Sequence, residues 1–133
     1  MMELRIAEDI KKAYPELRLA YLEMRGMKIG TGSDKVTGMM KEESEKLLQA
    51  LTLDTVKDRE DFRAYRDFFW RIGVDPTKIR PAAEALVRRI LKGASLPRIN
   101  DFVDAYNISS AESGAPIAAF DLDTIEDDII LRI

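Results

Sequence analysis

Four polar side chains that could carry chemistry fall within one short segment, at Asn100, Asp101, Asp104 and Asn107. Amide and carboxylate groups at this spacing can orient a polar ligand. They can equally well bond to nearby backbone groups and cap a turn or a helix. The pattern therefore predicts either a ligand site or a set of local caps, and it does not choose between them.

A second group of carboxylates consists of Asp121 and Asp123, two residues apart. On an extended backbone both would point to the same side, where they could hold Mg²⁺ or share a proton. The surrounding Asp-Leu-Asp-Thr sequence is also typical of a turn in which aspartate side chains accept bonds from backbone amides. Because the pattern has no third fixed ligand, we predict no metal site, and we predict no cofactor.

Histidine and cysteine are both absent from the 133 residues. This absence excludes thiolate chemistry, disulfides, Cys/His zinc sites and imidazole acid–base catalysis. Ser109, Ser110 and Ser113 therefore have no histidine to activate them as nucleophiles. Any hydrolysis would depend on a positioned water and on donors that stabilise an oxyanion.

The net charge of −3 argues against a general, charge-driven nucleic-acid binder. The segment 78–98, however, holds six basic residues and one acid, Glu84. This basic segment could contact phosphates, or it could be the solvated face and C-terminal turn of a helix, where cations suit the helix dipole. The candidates for phosphate contact, and hence for contact with tRNA, are Arg80, Arg88, Arg89, Lys92 and Arg98.

The length of 133 residues and the 46% hydrophobic content predict one domain over residues 1–133 that folds without disulfides. The N-terminus has no basic region leading into a long apolar run, and no apolar stretch approaches the roughly 18 residues of a membrane span. We therefore expect no membrane partner and a cytoplasmic location.

The predicted helices are concentrated in the middle of the chain and the predicted strands lie toward both ends, which predicts an α+β fold. Helical spacing predicts a short helix over 7–14, longer ones over 36–51 and 62–72, and one from Pro81 to Gly93. A short helix or turn over 97–105 and a loop over 107–114 follow. Predicted strands lie at 17–25, which is apolar on both faces, at 117–120 and at 129–133.

The helix over 62–72 carries an aromatic stripe with Phe62, Tyr65 and Phe69. These rings could stack on nucleobases, but their spacing favours a place in the core. Phe68 and Trp70 lie off the stripe, which predicts that this helix is covered on more than one side.

The last predicted strand, 129–133, has no polar tail after it. It suggests either that the chain is incomplete at its C-terminus or that this strand pairs with a second copy to form a homo-oligomer.

From Gly93 the chain reads GASLPRINDFVDAYN, and it continues through Gly114 and Pro116 to IAAFDLD at 117–123. This text resembles the editing module of the bacterial phenylalanyl-tRNA synthetase beta subunit, its combined third and fourth domains. The stretch 75–89 is similar to stand-alone relatives of that module. The resemblance is good over 62–133 and loose before it. It implies an α+β fold of layered sheets and several packed helices, with the C-terminal third of the module lacking.

In the synthetase, this module hydrolyses tyrosine wrongly attached to the phenylalanine tRNA. The resemblance implies ligand-binding roles only for those residues of this chain that match the sequence pattern of the family. Ala118 stands where the family pattern has a histidine, so the resemblance assigns no catalytic residue. The ligand-binding candidates that it implies are Asn100, Asp104, Asn107, Pro116, Ala118, Phe120 and Asp121.

Two functional hypotheses follow from these observations. The first is a free-standing editing-type domain that binds aminoacyl-tRNA, or its aminoacyl-adenosine end. If this domain is an enzyme, it hydrolyses mischarged tRNA in trans. The second is a non-catalytic RNA- or amino-acid-binding domain that kept the fold and lost the chemistry, which Ala118 and the acidic net charge favour. The sequence leaves open whether the chain is an enzyme and which amino acid or tRNA it recognises.

Overall fold

A computed structural model describes residues 2–133, and it confirms the α+β class. Along these described residues, two strands and five helices follow one another, with short 3₁₀ turns at Val56–Asp58 and Leu122–Thr124. The strands are β1 (Leu4–Ile6) and β2 (Ile129–Leu131), and the helices are α1 (Glu8–Ala13), α2 (Asp34–Ala50), α3 (Glu60–Arg71), α4 (Ala82–Leu91) and α5 (Asp101–Ser113).

The described residues form two compact units. The strand unit comprises the residues up to Met27 together with Ala119–Ile133, and the helical unit comprises Lys28–Ala118. Every helix from α2 to α5 belongs to the helical unit, whereas both strands and α1 belong to the strand unit.

The sheet of the strand unit joins the two ends of the described chain. β1 and β2 run parallel, with Arg5 opposite Ile130. The Glu3 backbone N–H donates to the Asp128 carboxylate at 2.9 Å, and the Arg5 guanidinium pairs with the same carboxylate at 2.9 Å. The predicted strand at 129–133 is thus confirmed over its first three residues. Its pairing with a second copy stays a prediction.

Within residues 2–133 this pair is the whole sheet, which is smaller than the layered sheets that the resemblance implies. The predicted strand at 17–25 is wrong: this segment has no regular structure. A segment that is apolar on both faces becomes a strand only when neighbours pair with its edges, and no described strand does so. Its large apolar side chains stay exposed instead; they are Leu19, Tyr21, Leu22 and Met24, followed by Met27.

The predicted strand at 117–120 is also wrong, for the same reason. These residues form no ladder with any other described segment, and both Ile117 and Phe120 are exposed.

In the helical unit, α2, α3 and α4 confirm the predicted helices over 36–51, 62–72 and 81–93. Helix α4 buries Ala83, Val87 and Ile90, which recur at the spacing of one helix face. The core that these helices share with α5 consists of Met40, Leu47, Val56, Phe62, Ala83, Val87, Ile90, Leu96, Ile108 and Ala111.

Helix α5 corrects the prediction of a short helix over 97–105 and a loop over 107–114. It begins at Asp101 and continues to Ser113, because Ile108 and Ala111 prolong the buried face. Gly114, with φ of +79°, then supplies the left-handed cap. The serines of this stretch are accommodated within the helix; for example, the Ser109 hydroxyl donates to the Ala105 carbonyl at 3.1 Å.

Helix α3 has a buried side and an exposed aromatic. Phe62 is fully buried, as the core spacing predicts, and Tyr65 and Phe69 are half-buried. Phe68 is half-buried as well, but Trp70 is 57% exposed. Of the two aromatics off the stripe, Phe68 is thus partly covered, whereas Trp70 is largely exposed.

No helix among residues 2–133 combines the length and the apolar character that crossing a membrane requires.

Candidate functional site

An open cleft of about 290 Å³ lies in the helical unit, where the loop before α2 meets the start of α5. It brings together three residues that the sequence predicts to be functional, Arg98, Asn100 and Asp104. The loop before α2 and the first turns of that helix form the opposite wall. The lining consists of Thr31, Gly32, Thr37, Arg98, Ile99, Asn100 and Asp104.

The first residue of α5 holds that loop in place. The Asp101 backbone N–H donates to the Gly30 carbonyl at 2.9 Å, and the Asp101 carboxylate accepts from the Ser33 backbone N–H at 3.0 Å. A Cβ on Gly30 would lie 3.2 Å from the Asp101 carboxylate, so this close approach favours glycine. Gly32 has φ of +67°, a conformation that glycine adopts readily.

Asp104 is buried at the base of the cleft, and both of its carboxylate oxygens are occupied. One accepts from the Ile99 backbone N–H at 2.9 Å, and the other accepts from Arg98 Nε at 3.0 Å. Arg98 Nη1 in turn donates to the Thr37 hydroxyl at 3.0 Å. Since Asp104 is 1% exposed and each of its oxygens already accepts a hydrogen bond within the protein, it acts here as a positioning residue for Arg98.

The cleft is rich in hydrogen-bond donors. The side-chain oxygen of Asn100 caps α5 by accepting from the Val103 backbone N–H at 2.8 Å, so its amide N–H groups remain for a ligand. The outer N–H groups of Arg98 and the Thr31 hydroxyl add to these donors. A ligand with phosphate, carboxylate or ester oxygens fits this chemistry.

The other ligand-binding candidates do not line this cleft. Asn107 is half-buried on α5, and Pro116 and Ala118 are exposed beyond its end. Phe120 and Asp121 belong to the strand unit. The Asp121 carboxylate accepts from the Asp123 backbone N–H at 3.0 Å. This bond is the one expected if the two aspartates form a turn.

A second polar centre surrounds Glu84, whose side chain is fully buried. Arg66 of α3 binds both of its oxygens, at 2.6 and 2.7 Å. Arg88 Nε lies 2.7 Å from Oε2, and Arg80 Nη1 lies 3.2 Å from the same oxygen. We call these four residues the arginine cluster. Its three guanidinium groups and one carboxylate leave an excess of two positive charges.

Burial by itself would raise the pKa of Glu84. The hydrogen bonds from Arg66 and Arg88, together with their charges, outweigh that effect and lower the pKa to about 2. The hydrogen bond to Glu84 likewise raises the pKa of the Arg66 guanidinium. Glu84 is therefore ionised at neutral pH, and it holds the arginines in a fixed arrangement.

The structure distributes the five phosphate candidates among several environments. Arg80 and Arg88 belong to the arginine cluster, and Arg98 belongs to the cleft. Arg89 Nε donates to the Ser95 carbonyl at 2.6 Å, and Lys92 is exposed.

Sequence reasoning missed Arg66, because it lies outside the basic segment. Its position four residues after the buried Phe62 places it near the core side of α3, and this spacing could have indicated it. A guanidinium at that position needs a buried acidic partner.

The family model of the B3/4 domain matches residues 64–133, just over half of the chain. The chain belongs to the B3/4 domain family. This is a domain family of the phenylalanyl-tRNA synthetase beta subunit, so the resemblance is confirmed at the level of the family. No curated protein and no solved structure matches the chain.

The B3/4 match contains the whole arginine cluster and the part of the cleft from Arg98 to Asp104. The loop with Thr31 and Gly32, and helix α2 with Thr37, precede the matched residues. Four of the seven residues that line the cleft of this B3/4 protein thus lie in the family segment, and three precede it.

Replacing Asp104 with asparagine should lower the free energy of unfolding by about 2 kcal/mol, since hydrogen bonds to a charged group contribute roughly 1.5–3 kcal/mol. The variant loses the carboxylate that accepts from Arg98 and from Ile99. Urea unfolding at pH 7 measures the difference, with the exposed Asp54→Asn as the matched control. A loss no larger than that of the control would contradict the assignment of Asp104 as the residue that holds Arg98.

Proposed function

We propose that this B3/4 protein is a free-standing editing-type domain that binds the aminoacyl-adenosine end of an aminoacyl-tRNA and hydrolyses the ester in trans. The observation that carries the proposal is the donor-rich cleft, four of whose seven lining residues lie inside the B3/4 family segment. Three of the cleft residues, Arg98, Asn100 and Asp104, also match the sequence pattern of the editing module.

The donors of the cleft suit the groups of this ligand. An aminoacyl-adenosine presents an ester carbonyl, ribose hydroxyls and a phosphate. The Arg98 guanidinium and the Asn100 amide would bind the oxygens that carry negative charge. Asp104 would keep Arg98 in place without contacting the ligand.

Hydrolysis without histidine requires a positioned water. Its oxygen bonds to the carbonyl carbon, and the resulting oxyanion is stabilised by the Arg98 and Asn100 donors. The carbon–oxygen ester bond then breaks, and the ribose oxygen takes up the proton that the water loses. The products are the free amino acid and the tRNA with its terminal hydroxyl restored.

The basic segment would bind the tRNA backbone. Arg80 and Arg88 contribute to the positive excess of the arginine cluster. Arg89 and Lys92 are exposed at the C-terminal end of α4. Phosphate contacts by these side chains would make tRNA affinity fall as salt concentration rises.

The second candidate function is binding without hydrolysis. Ala118 favours it, since a methyl group stands where the family pattern carries an imidazole. In that case the cleft would hold an aminoacyl group or an RNA end, and the ester would persist.

A deacylation assay on a panel of mischarged tRNAs tests the proposal. We expect release of the amino acid above the spontaneous rate on at least one pair. Arg98→Gln should lower that rate about tenfold or more, as expected for a lost oxyanion donor. The exposed Arg18→Gln is the matched control and should leave the rate unchanged. Saturable binding without turnover on any pair would establish the second function, and the absence of both would overturn the proposal.

A further inference from the structure

Trp70 is exposed on a helix whose other aromatic residues are buried or half-buried. Trp70 is 57% exposed, whereas Phe62 of the same helix is 0% exposed. It is also the single tryptophan of the chain. The flat indole face is therefore available to a partner.

Two arginines share the edge of α3 that carries Trp70. Arg66 precedes it by four residues, and Arg63 precedes Arg66 by three. Each of these spacings makes side chains neighbours on a helix surface, so the three follow one another along this edge. Arg66 binds Glu84, which brings Arg80 and Arg88 from the neighbouring segment to the same edge. An aromatic face thus adjoins a group of fixed guanidinium ions.

The charge at this edge is positive. The arginine cluster has an excess of two positive charges, and Arg63 adds a third. Asp67, exposed on α3, and Asp58, whose charge acts on Arg66, remove two, which leaves one positive charge. The protein as a whole carries −3, so this edge differs from the rest of the surface in sign.

We propose that Trp70 is a stacking platform for an unpaired base of single-stranded RNA, whose flanking phosphates contact Arg63 and the arginine cluster. Aromatic side chains stack on the π-face of any base, and arginines bind the adjoining backbone. A duplex would leave Trp70 unused, because its bases are already stacked on one another. The inference rests on the proposed function in taking RNA as the partner, and it adds a contact site outside the cleft.

The fluorescence of the single tryptophan reports on this site directly. Titration of the protein with a short single-stranded oligoribonucleotide should quench Trp70 saturably, and a duplex of equal length should bind more weakly and quench less. Trp70→Ala should weaken binding of the same oligonucleotide, measured by the anisotropy of a label on the RNA, about tenfold, since one stacked base contributes roughly 1–3 kcal/mol. Trp70→Phe should keep most of the affinity.

Matched variants separate stacking from charge. Tyr21→Ala removes an exposed aromatic of the strand unit and should leave the affinity unchanged. Arg63→Gln should weaken binding and lower the slope of log affinity against log salt by about one, whereas Arg18→Gln should change neither. Equal quenching by single strands, duplexes and heparin would show a general polyanion surface and overturn the proposal.

The outcomes also distinguish this inference from the proposed function. Turnover of mischarged tRNA with no quenching and no effect of Trp70→Ala would overturn the inference alone. Quenching and loss of affinity in Trp70→Ala, with no deacylation and no binding in the cleft, would overturn the proposed function and support the inference.

Discussion

Replacing Glu84 with alanine should lower the free energy of unfolding by about 3–5 kcal/mol, the usual cost of removing one partner from a buried ion pair. Glu84 is fully buried, and it accepts hydrogen bonds from Arg66, Arg80 and Arg88. Without its carboxylate, the three guanidinium ions would repel one another in a partly desolvated space. Urea unfolding at pH 7 measures the loss.

The pH dependence of that loss follows from the pKa of Glu84, which is lowered from 4.5 to about 2. A lowered pKa means that the ionised carboxylate stabilises the folded protein. This stabilisation is fully present above the unfolded value of 4.5 and is lost as pH falls through the folded value of about 2. The difference between wild type and Glu84→Ala should therefore be smaller at pH 3 than at pH 7.

Two further variants make the result interpretable. Glu84→Gln keeps the shape of the side chain but carries no titratable charge. Its deficit relative to wild type should therefore also shrink at pH 3, because the wild-type carboxylate loses part of its stabilising charge there. Glu45→Ala removes an exposed acid from α2 and should cost no more than about 0.5 kcal/mol. If Glu84→Ala were as stable as Glu45→Ala, the arginine cluster would have no part in holding α3 to α4.

Replacing Phe62 with alanine should also cost about 3–5 kcal/mol, since truncation of a buried phenylalanine leaves a cavity. The ring is fully buried, and the Arg59 guanidinium carbon lies 4.5 Å from its centroid. Arg59 in turn donates to the Ala111 and Glu112 carbonyls at the end of α5, at 3.2 and 2.7 Å. The substitution would therefore loosen the end of α5 as well as the core.

Trp70→Ala is the matched control for Phe62→Ala, because it truncates a large aromatic on the same helix at an exposed position. We expect a change within about 0.5 kcal/mol. Thermal unfolding followed by circular dichroism would compare the two variants. Equal losses of unfolding free energy in both variants would show that the exposed and buried sides of α3 are wrongly assigned. If Trp70→Ala keeps its stability, its effect on RNA binding can be measured without interference from unfolding.

The helices were largely predictable because their signals are local. Helix α4 begins after Pro81 and ends before Gly93, and its buried face recurs every three or four residues. The strand predicted at 17–25 failed for the opposite reason. A strand needs partners along its edges, and the apolar pattern of a segment does not say whether another segment will supply them.

The candidate site was predictable only in part. The pattern from Pro97 to Asn107 indicated Arg98, Asn100 and Asp104, and these residues do meet in one cleft. The pattern did not indicate that Asp104 is fully occupied by Arg98 and Ile99. It also gave no reason to add Thr31 and Thr37, which come from a segment more than sixty residues earlier.

The sequence by itself determined the chemistry that is excluded, the positions of the long helices and the relation to the B3/4 domain, because composition, periodicity and motif order are properties of the linear chain. Tertiary structure alone decided the role of each charge. Glu84 counted as one acid among six bases in the sequence, yet folding places it between three arginines, one of them on another helix. The exposure of Trp70 and the pairing of β1 with β2 were decided in the same way, since both depend on which distant segments pack together.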